Sequence, residues 1–143
     1  MIAETGLCAW RSGQRPVLDI ETGGEFLRGR LALFWTGVAH DMPAMVSGER
    51  DYDAIARAGA TARQAVWSND LALLAAAVPQ SFAVQRNEGM AALPGDLPGA
   101  LAWKYCGGGF GGYAVYLFTE RAQRDTACTH PGFRPIEPFV ATR

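Results

Sequence analysis

The chain has 143 residues, of which 49% are hydrophobic and 19% are charged, and it carries a formal net charge of −1. This composition is too apolar for a disordered chain and predicts a single globular domain over residues 1–143. The absence of a basic stripe argues against a nucleic-acid partner and, more weakly, against an anionic membrane surface.

Residues 1–10 show no basic start followed by an apolar run, so we expect no signal peptide. The strongly apolar stretches 31–35 and 71–78 are far shorter than the roughly 20 residues that a membrane span needs. Three cysteines occur, at Cys8, Cys106 and Cys128. Because no CxxC pair is present, a structural zinc site is not expected. These features predict a cytoplasmic protein with reduced thiols, no metal site and no association with membranes.

The first half of the chain reads as two strands followed by helices. Residues 16–21 alternate partly before a pair of glycines, which predicts a short strand and a turn. Residues 31–36 form an apolar run that predicts a buried strand. A short helix is predicted over 40–47. Residues 51–67 carry apolar side chains at helical spacing, and Asp51 can cap their first turn, so we predict a longer helix there.

A second long helix is predicted after Asp70, which supplies a new N-cap. Its apolar positions run from Leu71 to Val78. We expect Pro79 to kink or end this helix, because proline removes a backbone donor and clashes with the preceding turn.

The second half reads as a loop, two strands, a helix and a strand. Residues 90–99 are rich in proline and glycine and predict a loop. Residues 100–106 and 113–118 predict strands, 120–127 a short helix, and 133–140 a last strand that its prolines confine to a sheet edge. The order predicts an α+β fold, with a mostly antiparallel sheet and helices packed on one face.

A glycine-rich turn joins the two strands of the second half, and five of its six positions from 107 to 112 are glycine. Glycine adopts positive φ at low cost and lets a ligand or another backbone approach closely. Consecutive amides can also form an anion-binding concavity. The alternative is a flexible hairpin connection with no ligand. No Walker A ending follows, and the GxGxxG spacing of Gly107, Gly109 and Gly112 precedes a strand rather than a helix.

Residues 99–113, GALAWKYCGGGFGGY, resemble the third glycine-rich motif of GHMP-superfamily small-molecule kinases. Residues 31–40, LALFWTGVAH, resemble the apolar strand and Tyr-Thr-Gly segment of heptose-phosphate and fucose kinases, the nearest members. The similarity spans roughly residues 28–140. It implies a ferredoxin-like fold of the kind found in the C-terminal domain of these kinases. The sequence departs from the motif at Phe110, where the family has glycine, and at Gly108, where it has alanine.

The resemblance also implies a set of site residues, although it identifies no catalytic residue. A loop lining phosphate or substrate is expected at Lys104, Gly107, Gly108, Gly109, Gly111 and Gly112. A second group follows the 31–36 strand and is expected on the substrate side, at Thr36, Gly37 and His40. The alternative for this second group is a capped turn without a ligand. The two histidines lie far apart in the sequence, so they do not suggest a metal site.

The family's ATP-phosphate loop and its usual catalytic carboxylate belong to an N-terminal domain, and neither appears in these residues. The resemblance therefore implies the substrate-side half of a sugar or sugar-phosphate kinase, inactive alone. ATP and Mg²⁺ are expected only after completion by a separately encoded N-terminal domain. The alternatives are a non-catalytic small-molecule-binding or protein-interaction module that retains the fold, and a homo-oligomer that covers the orphan face with itself.

Overall fold

The protein is described here from a computed structural model, which covers residues 6–11, 14–40 and 50–138. An antiparallel hairpin is formed by β1 (Leu7–Arg11) and β2 (Val17–Thr22). A four-stranded sheet is formed by β3 (Leu31–Trp35), β4 (Ala100–Tyr105), β5 (Tyr113–Phe118) and β6 (Phe133–Ile136). The α-helices within these ranges are α1 (Tyr52–Ser68), α2 (Leu71–Asn87) and α3 (Arg121–Ala127).

The four-stranded sheet has the order β4-β5-β3-β6, and each pair of neighbours is antiparallel. The chain runs from β3 through α1 and α2 to β4 and β5, and then through α3 to β6. This is the β-α-β-β-α-β connectivity of ferredoxin-like folds. The predicted α+β class and mostly antiparallel sheet are therefore confirmed, and β6 lies at an edge as its prolines require.

Both faces of this sheet are apolar. Tyr116, Leu117 and Phe118 are consecutive buried residues of β5, and consecutive side chains on a strand point to opposite faces. Tyr116 and Phe118 belong to a cluster to which α3 contributes Ala127. Leu117 belongs to a second cluster, against which the first half of α2 packs. The sheet therefore has an apolar cluster on each face, and helices contribute to both clusters within the predicted α+β class.

The two long helices begin where their caps predict. Asp51 accepts a hydrogen bond from the Ala54 N–H at 2.8 Å, and Asp70 accepts one from the Leu73 N–H at 2.9 Å. The sequence predicts that Pro79 kinks or ends the second helix. Pro79 does not end it, because α2 continues to Asn87. Pro79 is exposed, so water can satisfy the carbonyl that lacks its usual donor. The helix predicted over 40–47 lies almost entirely outside the described residues.

Candidate functional site

The glycine-rich turn between β4 and β5 has a compact, left-handed backbone. Cys106 N–H donates to the Tyr113 carbonyl at 2.8 Å and so extends the hairpin ladder by one step. The Gly109 N–H donates back to the Cys106 carbonyl at 3.3 Å. Positive φ angles occur at Gly107, Gly109, Phe110, Gly111 and Gly112. Glycine adopts this conformation without steric penalty, which explains its density here.

Residues 36–40, which follow β3, lie directly against this turn. The Thr36 N–H and hydroxyl both donate to the Gly112 carbonyl, at 3.0 and 2.8 Å. The Gly112 N–H donates to the Val38 carbonyl at 2.7 Å. His40 Nδ1 lies 2.7 Å from the Gly109 carbonyl oxygen. Because a carbonyl oxygen only accepts, Nδ1 must carry a proton in this contact. Thr36 and His40 therefore position the glycine loop.

The loop has one packed side and one open side. A Cβ atom at Gly111 would overlap the Ala39 carbonyl, and one at Gly112 would lie 3.0 Å from His40 Nε2. A Cβ atom at Gly107 would meet nothing within 4 Å. Glycine is therefore required by packing at 111 and 112, whereas at 107 it leaves the backbone accessible.

Lys104 lies beside the open side of the loop. It shares a pocket of about 160 Å³ with Gly107, Gly108, Arg50 and Glu88, among others. Burial desolvates the ammonium group and lowers the pKa of Lys104, while the neighbouring Cys106 thiol acts in the opposite sense. Lys104 is also the only lysine of the chain. The pocket thus places the Lys104 amine, which loses its proton more readily than an exposed lysine, next to the exposed backbone of Gly107.

The backbone of this pocket offers further donors. Within the described part of the chain, the N–H groups of Gly107 and Gly108 have no hydrogen-bond partner. Arg50 Nε lies 4.0 Å from Glu88 Oε1, so one acidic and two basic side chains surround the pocket. Exposed amides next to a cation form a favourable site for an oxyanion such as phosphate.

The opposite face of the same strand borders a different space. Lys104 and Tyr105 are adjacent on β4 and therefore point to opposite faces of the sheet. Tyr105, Phe110 and Gly111 help to line a cleft of about 440 Å³, and no charged side chain occurs among the described residues of its walls. The loop consequently separates a small basic pocket from a larger apolar cleft.

Within residues 6–11, 14–40 and 50–138, no group of three His, Cys, Asp or Glu side chains could hold a metal ion. No helix in those ranges has the length and apolar character that crossing a bilayer demands. No disulfide joins the three cysteines, all of which are described.

The structure brings most of the predicted site residues together around one loop. Lys104, Gly107 and Gly108 share the basic pocket, and Thr36 and His40 contact the loop backbone. Gly37 is exposed, and its φ is positive. Sequence reasoning missed Arg50 and Glu88, whose place in the pocket depends on how α2 meets the sheet and which no local motif announces.

The chain is similar to known proteins at the level of solved structures. No family model matches it, and no curated protein sequence matches it. The solved structure of L. major mevalonate kinase in complex with R-mevalonate matches with a TM-score of 0.56 and 21% identity, over 84% of this chain and 42% of the kinase chain. A Campylobacter jejuni protein assigned as a sugar kinase matches with a TM-score of 0.47 and 20% identity, over 80% and 35%.

The first of these similarities defines the fold. The chain has the α+β fold of part of a mevalonate kinase, which is a GHMP-type kinase. It spans less than half the length of either solved protein. The similarity to the mevalonate kinase structure therefore establishes the fold of this chain.

Proposed function

We propose that this chain is the C-terminal, substrate-side half of a GHMP-type small-molecule kinase and that it is inactive until an N-terminal domain completes it. One observation carries the proposal. Lys104 and the unpartnered N–H groups of Gly107 and Gly108 share one pocket, in a fold that matches part of a mevalonate kinase. The completing domain belongs either to a separate chain or to a longer polypeptide.

Phosphoryl transfer depends mainly on positioning and on stabilising negative charge around the transferred group. In the proposed complex, Lys104 and the two amides hold a phosphate oxygen, while the loop is kept in place by Thr36 and His40. ATP and Mg²⁺ then enter with the N-terminal domain, which must supply the Mg²⁺ ligands and the catalytic carboxylate. The acceptor proposed from the sequence resemblance is a sugar or sugar phosphate, phosphorylated in the cytoplasm.

Inactivity of the chain alone follows from the groups around the pocket. Glu88 lies 4.0 Å from Arg50 and is the only acidic side chain among the described residues that line the pocket. A single carboxylate paired with arginine provides neither a metal site nor a free general base. The half therefore binds phosphate without turning over ATP.

Calorimetric titration of the purified chain with pyrophosphate and with Mg·ATP tests this proposal. We expect binding near millimolar, weakened about tenfold by Lys104→Met and by Gly107→Val, which removes access to the loop backbone. Arg57→Met, an exposed cation on α1, serves as the control and should leave the binding unchanged. Absence of heat with both ligands, or ATP turnover by the chain alone, would contradict the proposal.

A second candidate is a non-catalytic module that binds a small molecule or a protein and retains the kinase fold. The apolar cleft beside the loop favours it, because such a cleft holds a ligand without any phosphate chemistry. This candidate predicts no heat with Mg·ATP or pyrophosphate. Sedimentation of the chain tests its homo-oligomeric form, in which copies cover each other's exposed face.

A further inference from the structure

We infer that the cleft on the Tyr105 side of the glycine loop binds a small molecule with an apolar ring and a single hydrogen-bond acceptor. We call this space the apolar cleft, and its main walls are Phe34, Met90, Leu93, Tyr105 and Phe110. The inference concerns ligand binding and stands independently of the proposed kinase activity.

The size and the walls of the apolar cleft decide the ligand class. A volume of about 440 Å³ falls within the range of small-molecule sites. Three of its walls are aromatic rings, from Phe34, Tyr105 and Phe110. None of the described residues that line it is charged, so a phosphate or carboxylate placed there would lose its hydration without a compensating partner among them. A ring-shaped apolar body suits these walls best.

Phe110 provides a second, independent observation. Its φ of 52° lies in the left-handed region, which an aromatic residue seldom adopts. Its side chain packs half-buried against the first core cluster and forms one wall of the cleft. Backbone strain of this kind persists mainly where the surrounding structure imposes it, and it concentrates at ligand sites. The ring is thus held at the cleft despite an unfavourable backbone.

The polar groups of the cleft limit the ligand to few hydrogen bonds. The Tyr105 hydroxyl already donates to the Ala91 carbonyl at 3.2 Å, and the Thr36 hydroxyl donates to Gly112. Within the described residues, the N–H groups of Phe110 and Gly111 lack a partner, and both residues line the cleft. A ligand that accepts one hydrogen bond from these amides is therefore the best match.

The apolar cleft and the Lys104 pocket can be tested separately because they lie on opposite faces of β4. The probe is 4-fluorobenzyl alcohol, which combines a ring with one acceptor oxygen, and the comparator is glucose 6-phosphate. Fluorine NMR of the probe gives its affinity, and amide NMR of the labelled chain locates the binding. We expect the probe to change the NMR chemical shifts of the Phe110 and Gly111 amides. Glucose 6-phosphate should leave these chemical shifts unchanged.

Two variants test whether the probe binds in the apolar cleft. Ala92→Trp adds bulk at an exposed lining position, and Phe110→Gly removes one aromatic wall. At least one of them should weaken probe binding about tenfold, the effect of losing one good apolar contact. Ala56→Trp, at an exposed position of α1, and Lys104→Met should change the affinity little.

Each possible result either supports or contradicts binding of the probe in the apolar cleft. Probe-induced shifts at Phe110 and Gly111 that weaken in either cleft variant support the inference. The inference would be overturned if the probe changed neither chemical shift, or if both variants left the changes as they are. It would also be overturned if glucose 6-phosphate changed the chemical shifts of the same amides. Loss of pyrophosphate binding in Lys104→Met with probe binding intact would leave both proposals standing. Normal probe binding without any pyrophosphate binding would remove only the kinase proposal.

Discussion

His40 Nδ1 lies 2.7 Å from the carbonyl oxygen of Gly109, although the two residues are 69 positions apart in the sequence. This contact joins the segment that follows β3 to the turn between β4 and β5. Thr36 makes the corresponding contact with Gly112, which precedes the neighbouring strand β5. The glycine loop is therefore not a free hairpin turn, because side chains from another strand hold its carbonyl groups.

His40→Ala should loosen the loop without unfolding the domain. It removes one hydrogen bond to the Gly109 carbonyl, for which we expect a loss of about 1 kcal/mol in the free energy of unfolding. Hydrogen exchange should become faster at the Gly109 and Gly112 amides, and amide NMR measures it. His130→Ala, an exposed histidine without a contact to the loop, is the control. Equal exchange rates in both variants would show that His40 does not hold the loop.

Gly111→Ala should destabilise the protein more than Gly107→Ala. Both positions have positive φ, for which a Cβ atom costs about 1–2 kcal/mol. Only at Gly111 would the Cβ atom also overlap the Ala39 carbonyl, which adds about 1–3 kcal/mol of overpacking. Urea unfolding of the two variants measures the difference. A larger loss for Gly107→Ala would contradict the packing of residues 36–40 on the loop.

Gln85→Ala should be costly for a polar substitution. The buried Gln85 amide donates to the Tyr105 carbonyl at 3.2 Å and accepts from the Tyr105 N–H at 3.0 Å. Both Tyr105 groups face the open edge of β4 and lose their partner in the variant, which costs about 1–3 kcal/mol. Gln80→Ala, at an exposed position of α2, should cost much less. Urea unfolding measures the free energy of unfolding of both variants. Equal values would mean that water replaces the hydrogen bonds of the Gln85 amide.

Glu137 should make part of the stability dependent on pH. Burial acts to raise the pKa of this carboxyl, but hydrogen bonds from the Gly29 N–H and Arg124 outweigh it, so the pKa lies below its ordinary value of 4.5. A lowered pKa in the folded state means that the stabilisation is complete above about pH 4.5 and is lost as the pH falls through the folded value.

The Glu137 effect should be modest, because 45% of the side chain is exposed and solvent screens its charge. Glu137→Gln should lower the free energy of unfolding at neutral pH and flatten its decline below pH of about 4. Asp96→Asn, an exposed carboxylate in the 88–99 loop, should leave that decline as it is. An unchanged pH profile in Glu137→Gln would assign the acid sensitivity to other groups.

Local sequence signals predicted much of the fold. Asp51 and Asp70 mark two helix starts because a carboxylate at the N-cap satisfies exposed amides within the same turn. The glycine-rich turn and its flanking strands were likewise predicted, since glycine density and apolar runs are properties of a few neighbouring residues.

Features that depend on distant packing could not be predicted. The short strand β1 has no alternating pattern, and it is ordered by pairing with β2. Continuation of α2 beyond Pro79 depends on exposure of that residue and on Gln85, which ties the end of the helix to β4. The residues that enclose the two spaces beside Lys104 and Tyr105 also escaped prediction, because they come from segments far apart in the sequence.

The single lysine of the chain allows the most direct test of the central claim. Reductive methylation with ¹³C-formaldehyde labels Lys104 and the terminal amine, and NMR titration of the labelled chain gives the pKa of Lys104. We predict a pKa below the ordinary lysine value of 10.5, because burial disfavours the charged form. Pyrophosphate should raise this pKa, since a bound anion stabilises the ammonium group. A pKa of Lys104 that does not respond to pyrophosphate would contradict a phosphate site at the glycine loop.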